Sequence, residues 1–365
     1  MASLEPALTK STFFLIKSWD SFQLALRTCL KPRIKPEYRL RSSALILLSL
    51  AMACFALNPT SIQASGSQKK AVVLSVFGTS HESALPSILN IREEVRDVLP
   101  EDVPLKVAFT SSIIRGIWQE RSQDPGYKED HPDVPEDILN VKGSLASIAD
   151  FQDRGYDYII VQPTHFTSGE EFADLSSYVA GLNSIKTIKK RNMPFRKVLL
   201  GRPALGANGI THEYHKDIER VAEALAPDVK LAAEKDRALV YMAHGNEHYS
   251  IGGFYLEFEQ VMRQRYPEVQ TYVTTVEGFP GSDHLLERLA ADEIDEVLLK
   301  PFMNVAGDHA KNDMAGEGPD SLKSVLENQG LDVEIKLEGL GLNDSFASIY
   351  AEHVRDAVHD EGLEF

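Results

Sequence analysis

Two histidines and one glutamate in the second half of the chain have the residue types and the spacing of metal ligands. Each stands at the end of a predicted β-strand or in the loop that follows it: His244, Glu277 and His309. Each is about one strand-and-helix repeat from the next. Because ligands bind at the carboxyl ends of parallel strands, the three side chains are predicted to converge at one rim of a sheet.

Two imidazoles and one carboxylate suit a borderline divalent metal such as Co²⁺, Fe²⁺, Ni²⁺ or Zn²⁺. Three protein ligands leave coordination positions open, which is typical of a working site rather than a structural one. A single histidine in such a place more often caps a helix or bonds a loop. The occurrence of all three at successive strand ends favours the metal site, so we predict these three residues as its ligands.

Two pairs of segments repeat in the same order along the chain, which predicts a duplicated α/β unit. Residues 71–83 (AVVLSVFGTSHES) resemble 238–250 (ALVYMAHGNEHYS), and 159–171 (IIVQPTHFTSGEE) resemble 297–309 (VLLKPFMNVAGDH). Phe77 stands in the place of His244, and Glu170-Glu171 stands in the place of Asp308-His309. Only the second copy therefore carries the complete ligand set.

Short apolar runs rich in β-branched residues alternate with segments of helical period. Predicted strands are 71–77, 105–110, 158–162, 197–200, 238–243, 269–275, 296–300 and 333–336. Predicted helices include 84–98, 138–154, 254–265, 284–292 and 345–359. Such alternation is typical of parallel sheets covered on both faces. The predicted fold is α/β, with two similar Rossmann-like halves of four strands each and a cleft between them.

The chain is predicted to have three parts: a leader over 1–64, an N-terminal α/β half over 65–208, and a C-terminal half over 209–365 that carries the metal site. The polar segment 125–136, broken by prolines, is predicted to be a loop or lid. The basic segment 186–196 is predicted to be a solvated face. The last helix is expected to pack back on the first half.

The leader has the features of an export signal. Arg39 and Arg41 precede the apolar run 44–57, which Asn58-Pro59 breaks. The run is short for a membrane span. We expect a signal peptide and a periplasmic protein, with a retained membrane anchor or lipidation at Cys54 as alternatives.

Both cysteines, Cys29 and Cys54, lie in this leader, so a mature chain has to build any transition-metal site from histidine and carboxylate. The formal net charge of −16 is unevenly distributed. Residues 1–64 hold 8 basic and 3 acidic groups, which leaves 30 basic and 51 acidic groups for the rest. This excess of negative charge disfavours nucleic acid and anionic membrane as partners of the mature chain. It does not exclude binding of an anionic small molecule.

Other polar side chains are candidates for contact with a substrate in the same cleft. His165 lies in the first-half loop that mirrors the metal loop. His81 and His248 occupy matching turns of the two copies, where a structural role is at least as well supported. Candidate clamps for substrate carboxylates are Arg115, Lys311, Arg202 and Lys300. The chain has no Walker loop, no GxSxG elbow and no convincing GxGxxG motif, which disfavours nucleotide-dependent and serine-hydrolase functions.

Four motifs resemble those of the sirohydrochlorin cobaltochelatases of anaerobic cobalamin synthesis, class II chelatases related to ferrochelatase. They are FGTSH at 77–81, AHG at 243–245, TVEG at 275–278 and VAGDHAKNDM at 305–314, the last being the most specific. The resemblance implies two chelatase-like halves with a tetrapyrrole in the cleft between them. The family's two metal-binding histidines and one glutamate match His244, Glu277 and His309.

The resemblance also implies ATP-independent insertion of Co²⁺, or alternatively Fe²⁺, into sirohydrochlorin. Insertion must remove two pyrrole N–H protons, and a neutral imidazole can accept a proton near physiological pH. We predict His244 as the catalytic base, and Glu277 as a ligand that alternatively shuttles the proton outward. Since cobalamin synthesis is cytoplasmic, an exported copy leaves a role in haem or iron handling open. The alternative function from another class of protein is a non-catalytic periplasmic carrier of metal or haem. The sequence also leaves open whether the protein forms a homo-oligomer.

Overall fold

Two four-stranded parallel sheets form the framework of residues 68–207 and 209–365, which are the part of the chain described by a computed structural model. The strands are β1 (Lys70–Val76), β2 (Leu105–Phe109), β3 (Tyr158–Pro163), β4 (Lys197–Leu200), β5 (Ala238–Gly245), β6 (Thr271–Glu277), β7 (Glu296–Phe302) and β8 (Asp332–Ile335). The strand orders are β2-β1-β3-β4 and β6-β5-β7-β8. The two sheets share one topology, and the predicted two-lobed α/β fold is confirmed.

Helices follow the strands and cover the faces of both sheets. In chain order they are α1 (Leu85–Asp97), α2 (Ser112–Gln123), α3 (Pro125–Asp130), α4 (Glu136–Leu139), α5 (Ser144–Asp153), α6 (Glu170–Asn183), α7 (Tyr214–Ala224), α8 (Ala226–Glu234), α9 (Gly252–Arg265), α10 (Ser282–Ala291), α11 (Leu322–Asn328) and α12 (Asp344–Asp360). Short 3₁₀ turns span Glu82–Ala84, Lys190–Asn192 and Leu340–Leu342, and a π-helical turn spans Ala310–Met314.

The central strand of each sheet is apolar because it is covered on both faces. In β1, Val72, Leu74 and Val76 pack into a core that residues of both lobes share. Ala71 and Val73 point the other way, into the core on the outer face of the first sheet. Successive strand side chains point to opposite faces, so this run needs two cores. β5 repeats the pattern in the second lobe.

The segment predicted to be a loop over 125–136 instead begins with the short helix α3. The Asp124 side chain accepts a hydrogen bond from the Gly126 N–H at 2.9 Å, which caps the first turn. Pro125 occupies that turn, where its missing N–H has no helical partner to lose. Proline here starts a helix rather than breaking one.

The single helix predicted over 138–154 is instead divided into α4 and α5. Lys142, between them, forms an isolated parallel bridge with Ala108 of β2, and its carbonyl accepts from the Phe109 N–H at 3.0 Å. Gly143 then provides the extended residue that begins α5. A tertiary backbone contact therefore overrides the local helical period.

The last helix, α12, returns to the first lobe, as expected. Asn90 on α1 donates to the Gly341 carbonyl and to Asp344 Oδ1, both at 3.0 Å. The Tyr350 hydroxyl donates to the Thr164 carbonyl, just after β3, at 2.9 Å. The first lobe is therefore completed by the end of the chain.

The predicted leader over 1–64 lies outside the described residues, and so does Asn208 at the predicted boundary between the halves. In residues 68–207 and 209–365, no helix combines the length and the apolar character needed to cross a bilayer.

Candidate active site

His244 stands near the carboxyl end of β5. The next residue, Gly245, has φ +80°, and a Cβ there would collide with the backbone oxygen of Glu277 on β6. Glycine is therefore required at position 245, next to His244, where β5 lies close to the backbone of β6. His244 Nδ1 lies 3.1 Å from the Gly245 carbonyl oxygen. Since a carbonyl only accepts hydrogen bonds, Nδ1 carries the proton and Nε2 offers its lone pair.

His309 follows β7 and immediately precedes the π-helical turn Ala310–Met314. Its Nδ1 lies 2.6 Å from Asp313 Oδ2. A carboxylate also only accepts, so Nδ1 donates, and in the neutral ring Nε2 is the nitrogen left for a metal ion. A carboxylate on the far nitrogen fixes the orientation of an imidazole and makes it a more basic ligand. Such π turns are frequent at functional sites.

The rings of His244 and His309 are in edge-to-face contact. Their centroids are 4.6 Å apart and their planes meet at 86°. Two neighbouring imidazoles, each with Nε2 free, have the chemistry of a pair of metal ligands. The structure thus brings two of the three predicted ligands together.

Glu277 is adjacent to this pair through its backbone but not through its carboxylate. It pairs with Gly245 in the β5–β6 register, yet its side chain is exposed and does not line the cleft described below. Within the described parts of the chain, no three His, Cys, Asp or Glu side chains are grouped so that they could hold a metal ion. The expected convergence of all three side chains is therefore incomplete here, and the role of Glu277 stays a prediction.

A cleft between the two lobes opens in front of the imidazole pair. Its volume is about 1420 Å³ when the space open to solvent is included. Its lining is mainly apolar. Residues after β1, β3, β5 and β7 contribute to it, as the rule for parallel sheets predicts. On the first-lobe wall, Phe77 and Ile113 leave 46% and 77% of their surface exposed. A concave apolar site with a few polar groups is typical of ligand binding.

His165 lies in the loop after β3 and lines the cleft. Both of its ring nitrogens are shielded from solvent, and neither has a hydrogen-bond partner among residues 68–207 and 209–365. Burial lowers the pKa of the ring to about 4, so the imidazole is neutral near pH 7. Buried polar atoms are almost always hydrogen-bonded, so this one calls for a partner that the protein itself does not supply.

His81 and Lys311 join the two lobes beside the cleft. His81 Nε2 lies 3.7 Å from Asp308 Oδ1, and Lys311 Nζ donates to Ser83 Oγ at 3.0 Å. His81 is part of the cleft lining, whereas Lys311 stands outside it. Lys311 therefore connects the lobes rather than facing the cavity.

Two predicted substrate contacts lie outside the cleft lining, and their roles stay predictions. Arg115 donates from Nη1 to the carbonyls of Phe109 and Thr110, at 2.6 and 2.8 Å. These bonds hold its guanidinium at the end of β2, outside the cleft lining. His248 is exposed on the turn after β5, where its N–H donates to Asn246 Oδ1 at 2.8 Å, and it too is absent from the lining.

The other two candidate clamps are also engaged within the protein. Arg202 donates to both oxygens of Asp217, at 2.7 and 2.9 Å, and to Asp356 at 2.7 Å. Lys300 is buried and pairs with Asp228. Neither cation is free to hold a substrate carboxylate, because each already neutralises buried or half-buried acids of the fold.

Glu171 and Ile113 line the cleft without having been singled out from the sequence. For Glu171 the signal was the internal repeat, because it aligns with His309 just as Phe77 aligns with His244. The first-lobe wall thus carries a carboxylate and a phenyl ring where the second-lobe wall carries two imidazoles. The two lobes therefore share one architecture, but only the second lobe carries the imidazole pair.

The family model for the cobalt chelatase (CbiK) matches residues 70–359, most of the chain. The chain belongs to this family. The prediction of a chelatase, and of an enzyme rather than a carrier, is confirmed. The chelatase motifs at 77–81, 243–245, 275–278 and 305–314 all fall within the matched range.

Curated relatives of this chelatase cover most of its length. The sirohydrochlorin cobaltochelatase CbiKC of Nitratidesulfovibrio vulgaris is 29% identical over 290 residues, which are 80% of this chain and 91% of that protein. The sirohydrochlorin cobaltochelatase of Salmonella typhimurium is 26% identical over 292 residues, 80% and 97% of the two chains. Among solved structures, SirB from Bacillus subtilis with Fe³⁺ matches with a TM-score of 0.50 at 12% identity, over 80% of this chain and 98% of that chain. That likeness supports the fold, and none of the three descriptions names haem.

Proposed function

We propose that this chelatase inserts Co²⁺ into sirohydrochlorin without ATP, as a step of cobalamin or related tetrapyrrole biosynthesis, with Fe²⁺ as the alternative metal. The observation that carries the proposal is the pair of imidazoles, His244 and His309, which present free Nε2 atoms on one wall of an apolar cleft. The descriptions of the two curated relatives supply the substrate and the metal.

The imidazole pair receives the metal ion substrate in this scheme. Neutral imidazole nitrogens suit Co²⁺ and Fe²⁺ alike, so availability rather than affinity separates the two metals. Glu277, at the end of the neighbouring strand, is the proposed third ligand. A set of at most three protein ligands leaves positions open for the nitrogens of the macrocycle.

Metal insertion exchanges two pyrrole N–H protons for one divalent cation, so the site has to accept two protons. His244 is the proposed first acceptor, through its Nε2 once the ion has passed from that atom to the macrocycle, and the second proton leaves to solvent. His165, whose neutral ring lines the same cleft, is proposed to accept a hydrogen bond from a pyrrole N–H rather than the proton itself, because burial lowers the pKa of its ring to about 4. The exposed carboxylate of Glu277 is the proposed relay to solvent.

The apolar wall formed by Phe77 and Ile113 lines the cleft from the first lobe, whereas the imidazoles line it from the second. Stacking of the macrocycle on an aromatic face is favourable and leaves its opposite face towards the metal. The proposal thus gives the two lobes different tasks: the first lobe holds the ring and the second delivers the ion.

An anaerobic spectrophotometric assay with sirohydrochlorin and Co²⁺ tests the proposal. We expect turnover, and a loss of at least about 100-fold in rate for His244→Ala. The matched control is His359→Ala, which removes an exposed histidine near the end of α12. Wild-type protein that binds Co²⁺ stoichiometrically without turnover would support the carrier instead. Near-normal turnover by His244→Ala would remove this residue from the mechanism.

We also propose that the protein is exported to the periplasm, which rests on the leader features of the sequence alone. N-terminal sequencing of the protein recovered from cell fractions tests this. A cleaved N-terminus in the periplasmic fraction supports export, whereas an intact N-terminus in the cytoplasm contradicts it.

A further inference from the structure

The connection between α6 and β4 concentrates positive charge in an otherwise acidic molecule. Residues 184–196, here called the basic loop, contain five basic residues and no acidic one: Lys186, Lys189, Lys190, Arg191 and Arg196. The charge outside the leader is about −21 by contrast, taken as 30 basic minus 51 acidic groups. The loop is therefore a local exception to the charge of the body.

The fold holds the two ends of the basic loop firmly. Asn183 donates to the Val198 carbonyl at 2.7 Å and accepts from the Val198 N–H at 3.0 Å. Phe195 is buried in the core on the outer face of the first sheet. Between these anchors, Ile188 is fully exposed and Met193 is partly so. The loop thus presents aliphatic side chains to solvent from a fixed base.

The cations of the loop tip are free of ion pairs within the described residues. Lys186, Lys189, Lys190 and Arg191 are all exposed. At the base of the loop, by contrast, Arg196 pairs with Asp157 at 2.6 Å and Lys197 pairs with Glu361 at 3.2 Å. The tip therefore keeps four positive charges that no neighbouring acid of residues 68–207 and 209–365 neutralises.

The basic loop lies at the amino edge of the first sheet, opposite the cleft. Asp157 joins it to the first described residues: its N–H donates to the Lys69 carbonyl at 3.1 Å, and its carbonyl accepts from the Arg196 N–H at 2.8 Å.

We propose that the basic loop docks the protein on anionic lipid headgroups, with Ile188 entering the interface between the flanking cations. Aliphatic tips within basic clusters suit a lipid surface, whereas single-stranded nucleic acid is bound through aromatic platforms that the exposed loop lacks. The negative charge of the whole molecule predicted no membrane partner. The amino edge of the first sheet differs, because the basic loop makes it locally positive. Docking here leaves the cleft, at the opposite edge, open to soluble substrate.

Flotation of the full chain with lipid vesicles tests the proposal. Phosphatidylcholine vesicles are compared with vesicles that also contain phosphatidylglycerol, and the ratio of the two partition coefficients is measured. The basic leader also favours anionic vesicles, but it is the same in every variant, so the contribution of the loop is the change in this ratio between a variant and wild type. We expect Lys189→Gln/Lys190→Gln to lower this ratio at least about tenfold, since each basic residue near an anionic surface contributes about fivefold.

The matched control is Lys216→Gln/Lys230→Gln, which removes the same charge from exposed positions on the second lobe. We expect it to leave the ratio within about twofold of wild type, and Ile188→Ser to lower it less than the lysine pair does. An equal fall in both double variants would attribute binding to net charge alone. A wild-type ratio near one would overturn the proposal, because the loop then does not distinguish anionic lipid.

Discussion

The imidazole of His309 and the carboxylate of Asp313 are joined at 2.6 Å across one π-helical turn. An amide at position 313 would present either an oxygen or an NH₂ group and so would no longer fix one tautomer. We expect Asp313→Asn to weaken Co²⁺ binding about tenfold or more, measured by calorimetry. Glu317→Gln is the control, since Glu317 is highly exposed and pairs only with Lys323. Equal affinities in wild type and Asp313→Asn would show that Asp313 does not position the ligand.

The buried imidazole of His165 lowers the stability of the folded protein at acid pH. Its pKa is about 4 in the folded protein against about 6.5 unfolded, so the unfolded state binds the proton first as pH falls. Stability is therefore lost between about pH 6.5 and pH 4. When the pH is lowered from 7 to 5, the free energy of unfolding falls in both proteins. We expect this fall to be about 1–2 kcal/mol smaller in His165→Leu than in wild type, measured by urea unfolding. Parallel pH profiles for the two proteins would contradict this.

The same residue separates positioning of the macrocycle from metal binding. We expect His165→Leu to lower the rate of metal insertion about 10- to 100-fold while leaving Co²⁺ affinity unchanged, because the ring is not part of the imidazole pair. Stopped-flow absorbance gives the rate and calorimetry the affinity. A parallel loss of both would indicate a disturbed cleft rather than a missing hydrogen-bond acceptor for the macrocycle.

The apolar wall predicts an effect on the macrocycle alone. We expect Phe77→Ser to raise the KM for sirohydrochlorin about tenfold, since it removes an exposed aromatic face from the cleft. Tyr178→Ser is the control, as Tyr178 is similarly exposed on α6 but does not line the cleft. A similar change in KM in both variants would argue against stacking on Phe77.

Gly245 predicts a large difference between two glycine substitutions. Gly245→Ala adds a Cβ at φ +80° against the Glu277 backbone, whereas Gly253→Ala adds one into open space near the start of α9. We expect the first to destabilise the fold by several kcal/mol and the second to be neutral or slightly stabilising. Urea unfolding of both variants measures this. A loss below about 1 kcal/mol for Gly245→Ala would show that the strand ends can move apart.

The elements of the fold could be predicted from the sequence because local pattern determines them. Each of the eight predicted strands lies within two residues of its observed bounds. The helix predicted over 138–154 failed for a physical reason: the contact of Lys142 with β2 joins residues far apart in sequence. No local pattern contains that information.

The site was predictable to the extent that strand ends determine it. His244 and His309 could be placed together because both follow parallel strands of one sheet. The direction of the Glu277 side chain and the bonds that engage Arg115 depend on neighbouring backbone, which a motif does not specify. Basic residues were the least predictable, because a cation free to bind substrate and one that neutralises the fold look alike in sequence.

The return of α12 to the first lobe has a consequence for biosynthesis. Tyr350 and Asp344 complete the first-lobe contacts, yet they are synthesised long after the strands of that lobe. The earlier-made lobe therefore cannot complete these contacts until α12 has been synthesised. Contacts this distant in sequence slow folding, so the first lobe gains its final packing late.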